Sequence, residues 1–242
     1  MRHACATSVA VAVAMAMCTS TVLAQRKQIV TWKVDRETRR AMLYTPSAKS
    51  PNGKTPLVFS FHGRGDTIEN FEYTDMHVAW PEAMVVYFQG LSGGRALQPG
   101  WQNEKGDDND RDLKLVDAAL AALREKYTID EDRVYSTGFS NGANFTYLLW
   151  AERADVFAAF APVAAMLRPS VQPKQPKPVF HVAGMKDTQI PFAAQKDAIE
   201  IARRVNGGVA PVLTWFHPGG HEYPRTTSAQ IAQFFREHPR HP

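Results

Sequence analysis

Beyond residue 57 the chain alternates short apolar runs with amphipathic stretches, and few architectures accommodate that rhythm. The runs are 57–61, 83–88, 133–137, 157–163, 178–183 and 211–216. They have the length of strands, and their apolar character suits strands buried on both faces. Between them, Leu113, Val116, Leu120, Leu123 and Tyr127 recur at helical spacing. Residues 141–153, 192–204 and 226–236 also read as helices. Strand–helix alternation of this kind predicts an α/β fold, a mostly parallel central sheet with helices on both faces. Residues 28–35 and 39–45 precede it as two antiparallel strands. No internal repeat and no second domain are visible in the pattern.

The first residues belong to a different physical class. Arg2 and His3 give a basic start, 9–17 an apolar stretch, and Val22-Leu23-Ala24 a small-residue cleavage site, so 1–24 read as a secretory signal peptide. The apolar stretch is too short to span a bilayer, and no later segment reads as a membrane span. The expected product is a secreted or periplasmic protein made of one domain, 25–242. Both cysteines, Cys5 and Cys18, lie in the leader. The exported chain would then carry no disulfide, no cysteine nucleophile and no zinc–thiolate site. The formal net charge of +4 comes from interspersed signs, without the basic block that a nucleic-acid surface needs. Oligomeric state leaves no mark on the sequence.

Gly138-Phe139-Ser140-Asn141-Gly142 follows a predicted strand and opens a predicted helix. The G-x-S-x-G pattern alone arises by chance in about one chain in ten of this length. Its context makes it informative: a serine on a sharp strand-to-helix turn is lifted above the sheet, and flanking glycines let helix and strand approach closely. A serine hydroxyl is a weak nucleophile without a histidine base, and the base needs an acid to orient it. Of the later histidines, His238 and His241 lie in the tail, His181 reads as a core residue inside a strand, and His217 ends a strand. His221 follows Pro218-Gly219-Gly220 beyond the last strand, where a mobile loop can bring an imidazole over Ser140. Asp187 follows the 178–183 strand and is the expected acid, with Asp155 and Asp197 as surface or helix alternatives. For a developing oxyanion, the Asn141 amide follows the nucleophile. The Arg64 amide, in the turn after the 57–61 strand, would supply the second donor.

At these residues the chain resembles a family. The segments FHGRGD, DEDRVYSTGFSNGANF, FAAFAPVAA, AGMKDTQIPF and GGHEYP are similar to secreted α/β-hydrolase esterases, the polyhydroxybutyrate-depolymerase-like and feruloyl-esterase-like proteins of the first carbohydrate esterase family. The resemblance implies an α/β-hydrolase without a large lid domain, with Ser140, Asp187 and His221 as its triad. The substrate would be a feruloyl, acetyl or polyhydroxyalkanoate-type ester, small or polymeric. It implies no metal and no cofactor. A peptidase of the same fold and a non-catalytic polymer-binding protein are the alternatives.

Two features of the long polar segment 89–110 stay open. Trp101 is either a platform on which a sugar or aromatic acyl group stacks or an anchor for the loop. The acidic run 107–112 has the alternate spacing of a calcium loop but lacks its glycine and its final glutamate. It is expected instead to cap the following helix.

Overall fold

The computed structural model describes residues 25–93 and 96–241; the predicted leader falls outside them. The chain opens with an antiparallel hairpin, β1 (Lys27–Val34) and β2 (Glu37–Tyr44). β3 (Thr55–Phe61) follows, then two single-turn helices, α1 (Ile68–Phe71) and α2 (Met76–Ala79), and β4 (Met84–Phe88). A second hairpin, β5 (Leu91–Gly93) and β6 (Ala96–Gly100), leads to α3 (Arg111–Lys126). The remainder alternates as read from the sequence: β7 (Ile129–Phe139), α4 (Asn141–Arg153), β8 (Ala159–Val163), β9 (Val179–Gly184), α5 (Phe192–Asn206), β10 (Val212–His217) and α6 (Thr227–Glu237).

Eight strands form one sheet in the order β1-β2-β4-β3-β7-β8-β9-β10. From β4 to β10 every neighbouring pair is parallel, and β2 joins β4 antiparallel. The apolar strand runs follow from this. In β3, Leu57, Phe59 and Phe61 pack toward α3 and α4, whereas Val58 faces the layer containing α1, α2 and α6. In β4, Met84, Val86 and Phe88 alternate with Val85 and Tyr87 in the same way. Both faces are covered, so the central strands are apolar on both sides.

Three expectations change. The strand read as 133–137 extends over Ile129–Phe139, because its polar start still pairs with β3 at Thr55. The polar segment 89–110 is no plain loop: it contains the β5–β6 hairpin. Two single-turn helices occupy the stretch before β4, too short to show helical periodicity in sequence.

The parallel strands all run toward one edge, and in an open α/β sheet ligands bind beyond the carboxyl ends of the strands. The turns after β3, β7 and β9 and the loop after β10 carry Arg64, Ser140, Asp187 and His221 respectively. β3 and β7 are direct neighbours, with Phe61 opposite Gly138, so the Arg64 turn and Ser140 start side by side.

Candidate active site

Ser140 lies between the end of β7 and the start of α4, with φ 55° and ψ −117°. A non-glycine residue at positive φ is strained, and this one is held by its neighbours. Its amide donates to the Val163 carbonyl at 2.9 Å, and its carbonyl accepts from the amides of Ala143 at 3.0 Å and Asn144 at 2.9 Å. The flanking glycines are demanded by contact. A Cβ on Gly142 would lie 2.2 Å from the Phe61 oxygen, and one on Gly138 would lie 2.5 Å from the Gly142 oxygen.

The structure brings the three predicted side chains together. His221 Nε2 is 2.8 Å from Ser140 Oγ, and His221 Nδ1 is 2.8 Å from Asp187 Oδ2. Asp187 Oδ1 accepts from the amides of Gln189 and Ile190, both at 2.9 Å, and Oδ2 also accepts from Gln195 Nε2 at 3.0 Å. Four donors around a side chain with no exposed surface leave the carboxylate as an acceptor. Nδ1–H of His221 therefore donates to Asp187, and the Nε2 lone pair faces the Ser140 hydroxyl.

The loop that carries His221 differs from the mobile one expected. Lys186 donates its amide to the Gly219 carbonyl at 2.9 Å, and Met185 donates to the His217 carbonyl at 2.9 Å. A Cβ on Gly184 would meet the Gly220 oxygen at 2.1 Å. The small residues allow the acid turn and the histidine loop to pack backbone against backbone. His217 is buried, and its Nδ1 accepts from the Gly219 amide at 3.2 Å. His181 is a core residue, as its strand position implied.

Asn141 directly follows Ser140, and Arg64 shares a cavity lining with Ser140. Asn141 is the first residue of α4, where no preceding turn of helix supplies an acceptor. Among the described residues no acceptor takes the Arg64 amide. A Cβ on Gly63 would be 3.6 Å from Ser140 Cβ, so the turn lies directly alongside the nucleophile position. A cavity of about 470 Å³ opens over Ser140, lined by Arg64, Asp66, Gln98, Phe139, Gln189 and His221 among others. Beside it lies a second cavity of about 540 Å³, which shares Arg64 and Gln98 and extends to Asp108 and Arg168.

His62, which carries no obvious sequence signal, braces the Arg64 turn. Its Nδ1–H donates to the Gly63 carbonyl at 2.6 Å, and its Nε2 accepts from the Gly90 amide at 2.9 Å. Burial lowers its pKa below the ordinary imidazole value, which keeps this donor–acceptor arrangement neutral.

Trp101 resolves to the anchor. It is 3 % exposed, donates Nε1–H to the His62 carbonyl at 2.8 Å and stacks on Phe145 with centroids 5.7 Å apart. Its ring is packed in the core against Phe145, which favours the anchor over the stacking platform. The Asn141 side chain accepts from the Trp101 amide at 2.8 Å and ties this segment to the Ser140 turn.

The acidic run does not cap α3 as expected. Asp110 precedes the helix without a side-chain capping bond; its carboxylate accepts from the Gly106 amide and from Gln102 Nε2. The cap is Gln102, whose Oε1 accepts from the amides of Asp112 at 3.0 Å and Leu113 at 3.1 Å. Asp112 itself is buried against Arg39, with 2.7 Å between Oδ1 and the guanidinium and neither side chain exposed. Sequence spacing gives no hint of this pair, because Arg39 is on β2 and Asp112 is on α3. Among the described residues no cluster of three histidine, cysteine, aspartate or glutamate side chains is placed to hold a metal ion.

Comparison with solved structures places this geometry in a known fold. A Bacillus cereus carboxylesterase superposes with a TM-score of 0.67 at 18% identity, covering 82% of this chain and 94% of that one. A ferulic acid esterase from Anaeromyces mucronatus, solved with ferulic acid, superposes with a TM-score of 0.64 at 19% identity, over 88% of this chain and 90% of that one. The chain has the α/β-hydrolase fold. Its residues 82–171 match the prolyl oligopeptidase family, a span that includes Ser140. In sequence the chain is similar to a bifunctional acetylxylan esterase/xylanase of Neocallimastix patriciarum, 33% identical over 60% of this chain and 21% of the relative. It is also similar to a probable feruloyl esterase C of Aspergillus niger, 25% identical over 72% of this chain and 63% of the relative. The chain thus spans less than two thirds of the length of these curated relatives. No helix among its described residues is long and apolar enough to cross a membrane.

Proposed function

We propose that this α/β-hydrolase is a carboxylic-ester hydrolase that works through Ser140, His221 and Asp187. The observation that carries the proposal is the continuous hydrogen-bonded chain, 2.8 Å from Ser140 Oγ to His221 Nε2 and 2.8 Å from His221 Nδ1 to Asp187. As an ester carbonyl meets Ser140 Oγ, His221 takes the hydroxyl proton and Asp187 stabilises the imidazolium. The amides of Arg64 and Asn141 donate to the oxyanion of the tetrahedral intermediate, where pre-oriented dipoles act most strongly. His221 then gives its proton to the departing alkoxide, leaving an acyl group on Ser140. A water deprotonated by His221 attacks that acyl carbon, and the acid leaves as Ser140 regains its proton. Every proton transfer in this cycle passes through His221, so the scheme as written invokes no metal and no cofactor.

Similarity to acetylxylan and feruloyl esterases supports a polysaccharide-linked acetyl or feruloyl ester as substrate, with a polyhydroxyalkanoate-type ester as the other candidate. The leader 1–24 supports export, with cleavage after Ala24 leaving one catalytic domain over 25–242. The match to prolyl oligopeptidases favours a second reading, in which the same acyl chemistry cleaves a peptide. A fluorophosphonate probe should label the protein at Ser140. A panel of acetylated xylan, feruloylated sugar, polyhydroxybutyrate and a prolyl peptide should then show turnover of an ester. Labelling with peptide cleavage alone would transfer the assignment to a peptidase. Absence of both labelling and turnover would leave a binding protein on a hydrolase fold.

A further inference from the structure

β3, β7 and β8 are successive neighbours in the sheet, so the turns that follow them stand in a row with Ser140 in the middle. Arg64 belongs to the turn after β3, and Arg168 to the segment after β8. Both line the cavity of about 540 Å³ beside the nucleophile, and Arg64 also lines the cavity over Ser140. A molecule that fills both spaces therefore meets the Arg64 side chain on the way from one to the other.

The charged groups of this lining differ in how they are engaged. Arg111 is paired with Asp108 at 3.4 Å, lies 3.7 Å from Asp112 and donates to the Leu91 carbonyl at 3.1 Å. Asp107 Oδ2 accepts from the amides of Asn103 and Glu104, both at 3.1 Å. Glu104 is exposed, where solvent and salt screen it. Arg64 and Arg168 have no carboxylate partner among the described residues, and Arg168 keeps a buried Nε–H without an acceptor. An unpaired arginine on open surface means little, because water satisfies it. A buried N–H is different: its lost hydration stays uncompensated until an acceptor arrives. The planar guanidinium presents a fork that a carboxylate fills with two parallel hydrogen bonds.

We propose that Arg168 and the side chain of Arg64 form a subsite for a carboxylate, and that the esters this protein prefers carry one beside the ester bond.

The inference rests on the esterase reading and names its substrate class, an ester with a free carboxylate on its acyl or its alcohol half. With the ester carbonyl at Ser140, that carboxylate lies in the adjoining cavity. The main chain and side chain of Arg64 then have separate duties, the amide toward the oxyanion and the guanidinium toward the carboxylate. The carboxylate keeps its charge through the reaction, so the subsite holds ground state and transition state alike. Such binding lowers KM and leaves kcat unchanged.

Two matched pairs of esters test this, one for each half of the substrate. The first is the 4-nitrophenyl monoester of adipic acid against 4-nitrophenyl hexanoate. The second is an acetyl ester of glucuronic acid against the same acetyl ester of glucose. In at least one pair the wild-type protein should show a KM about tenfold lower for the acid-bearing ester, with kcat within about twofold, as expected for charge-assisted hydrogen bonds. The pair that shows it assigns the carboxylate to the acyl or the alcohol half. Arg168→Gln should bring the two KM values together while KM for the neutral ester stays within about twofold, and Arg168→Lys should keep part of the preference. Arg64→Gln is read only as the ratio between the two esters, which should also fall. Equal KM values within both pairs, or a preference that survives Arg168→Gln, would overturn the subsite and leave the esterase reading intact. If no ester is turned over, calorimetric titration with glucuronate and with adipate decides the subsite alone. Binding weakened about tenfold by Arg168→Gln supports it; no binding, or equal binding to both proteins, overturns it. Should Arg168→Gln not fold, the wild-type pairs and Arg64→Gln still decide.

Discussion

The strand-end segments that carry Ser140, Asp187 and His221 and the segment that carries Trp101, Gln102 and Asp112 were written into the sequence in different ways. The first set announces itself locally. Each residue follows an apolar strand, and each sits beside small residues that a close backbone approach requires. In the second region the side chains that attract notice have unremarkable duties, and the working groups are quiet ones. Trp101 packs inward, the acidic run caps nothing, and Gln102 is the cap. The difference is one of range. A turn places its own residue, so its meaning is local. A buried tryptophan or aspartate acquires its role from a partner elsewhere in the chain, as Trp101 does from His62 and Asp112 from Arg39.

Substitutions can separate the two regions. The largest effect is expected in the first. Ser140→Ala should lower kcat by about 10⁶-fold, and Asp187→Asn by about 10⁴-fold, because the histidine survives with its tautomer wrong. Neither should disturb the near-ultraviolet circular dichroism of the fold. More than a tenth of the activity remaining in Ser140→Ala would remove the serine from the mechanism.

In the second region the expected loss is of stability. Asp112→Ala leaves Arg39 buried without its counter-charge, which costs about 3–5 kcal/mol. Urea denaturation should show a midpoint moved strongly downward. A shift below about 1 kcal/mol would mean that Arg39 finds water or another acceptor.

Acid should expose a weakness under the first region. His181 has its pKa lowered by burial from 6.5 to about 4. Below pH 6.5 the unfolded imidazole binds a proton that the folded one refuses until about pH 4. Stability is therefore lost as the pH falls through this window, by about 3 kcal/mol from His181 alone. His62 and His77, also lowered by burial, add to the loss in the same direction. Denaturation at pH 7 and pH 4.5 should differ accordingly, and by less in His181→Phe. Equal stability at the two pH values would show that the folded protein accommodates a charged His181.

The smallest effect tests the anchor. Trp101→Phe removes the bond to the His62 carbonyl and should cost about 1–2 kcal/mol of stability. KM for ester substrates should stay within about twofold. A raised KM with unchanged stability would return Trp101 to the role of a binding platform.

Residue order alone determined the alternation that makes a parallel sheet, the turn at Ser140, and the chain positions of the proposed acid and base. These depend on properties a short stretch carries by itself: apolar run length, the steric need for glycine, and the rule that parallel strands deliver their following turns to one edge. The choice of His221 over His217 as the proposed base already leaned on that rule, and His221 is the one 2.8 Å from Ser140 Oγ. Tertiary structure alone decided the fates of Trp101, Asp112, His62 and Gln195. Each was settled by a hydrogen-bonding partner on another element, at separations of 39 residues for Trp101 with His62 and 73 for Arg39 with Asp112. Burial set the outcome: once water is excluded, a polar group must take whichever complementary atom the packing of distant elements brings to it, and no local pattern encodes which atom that will be.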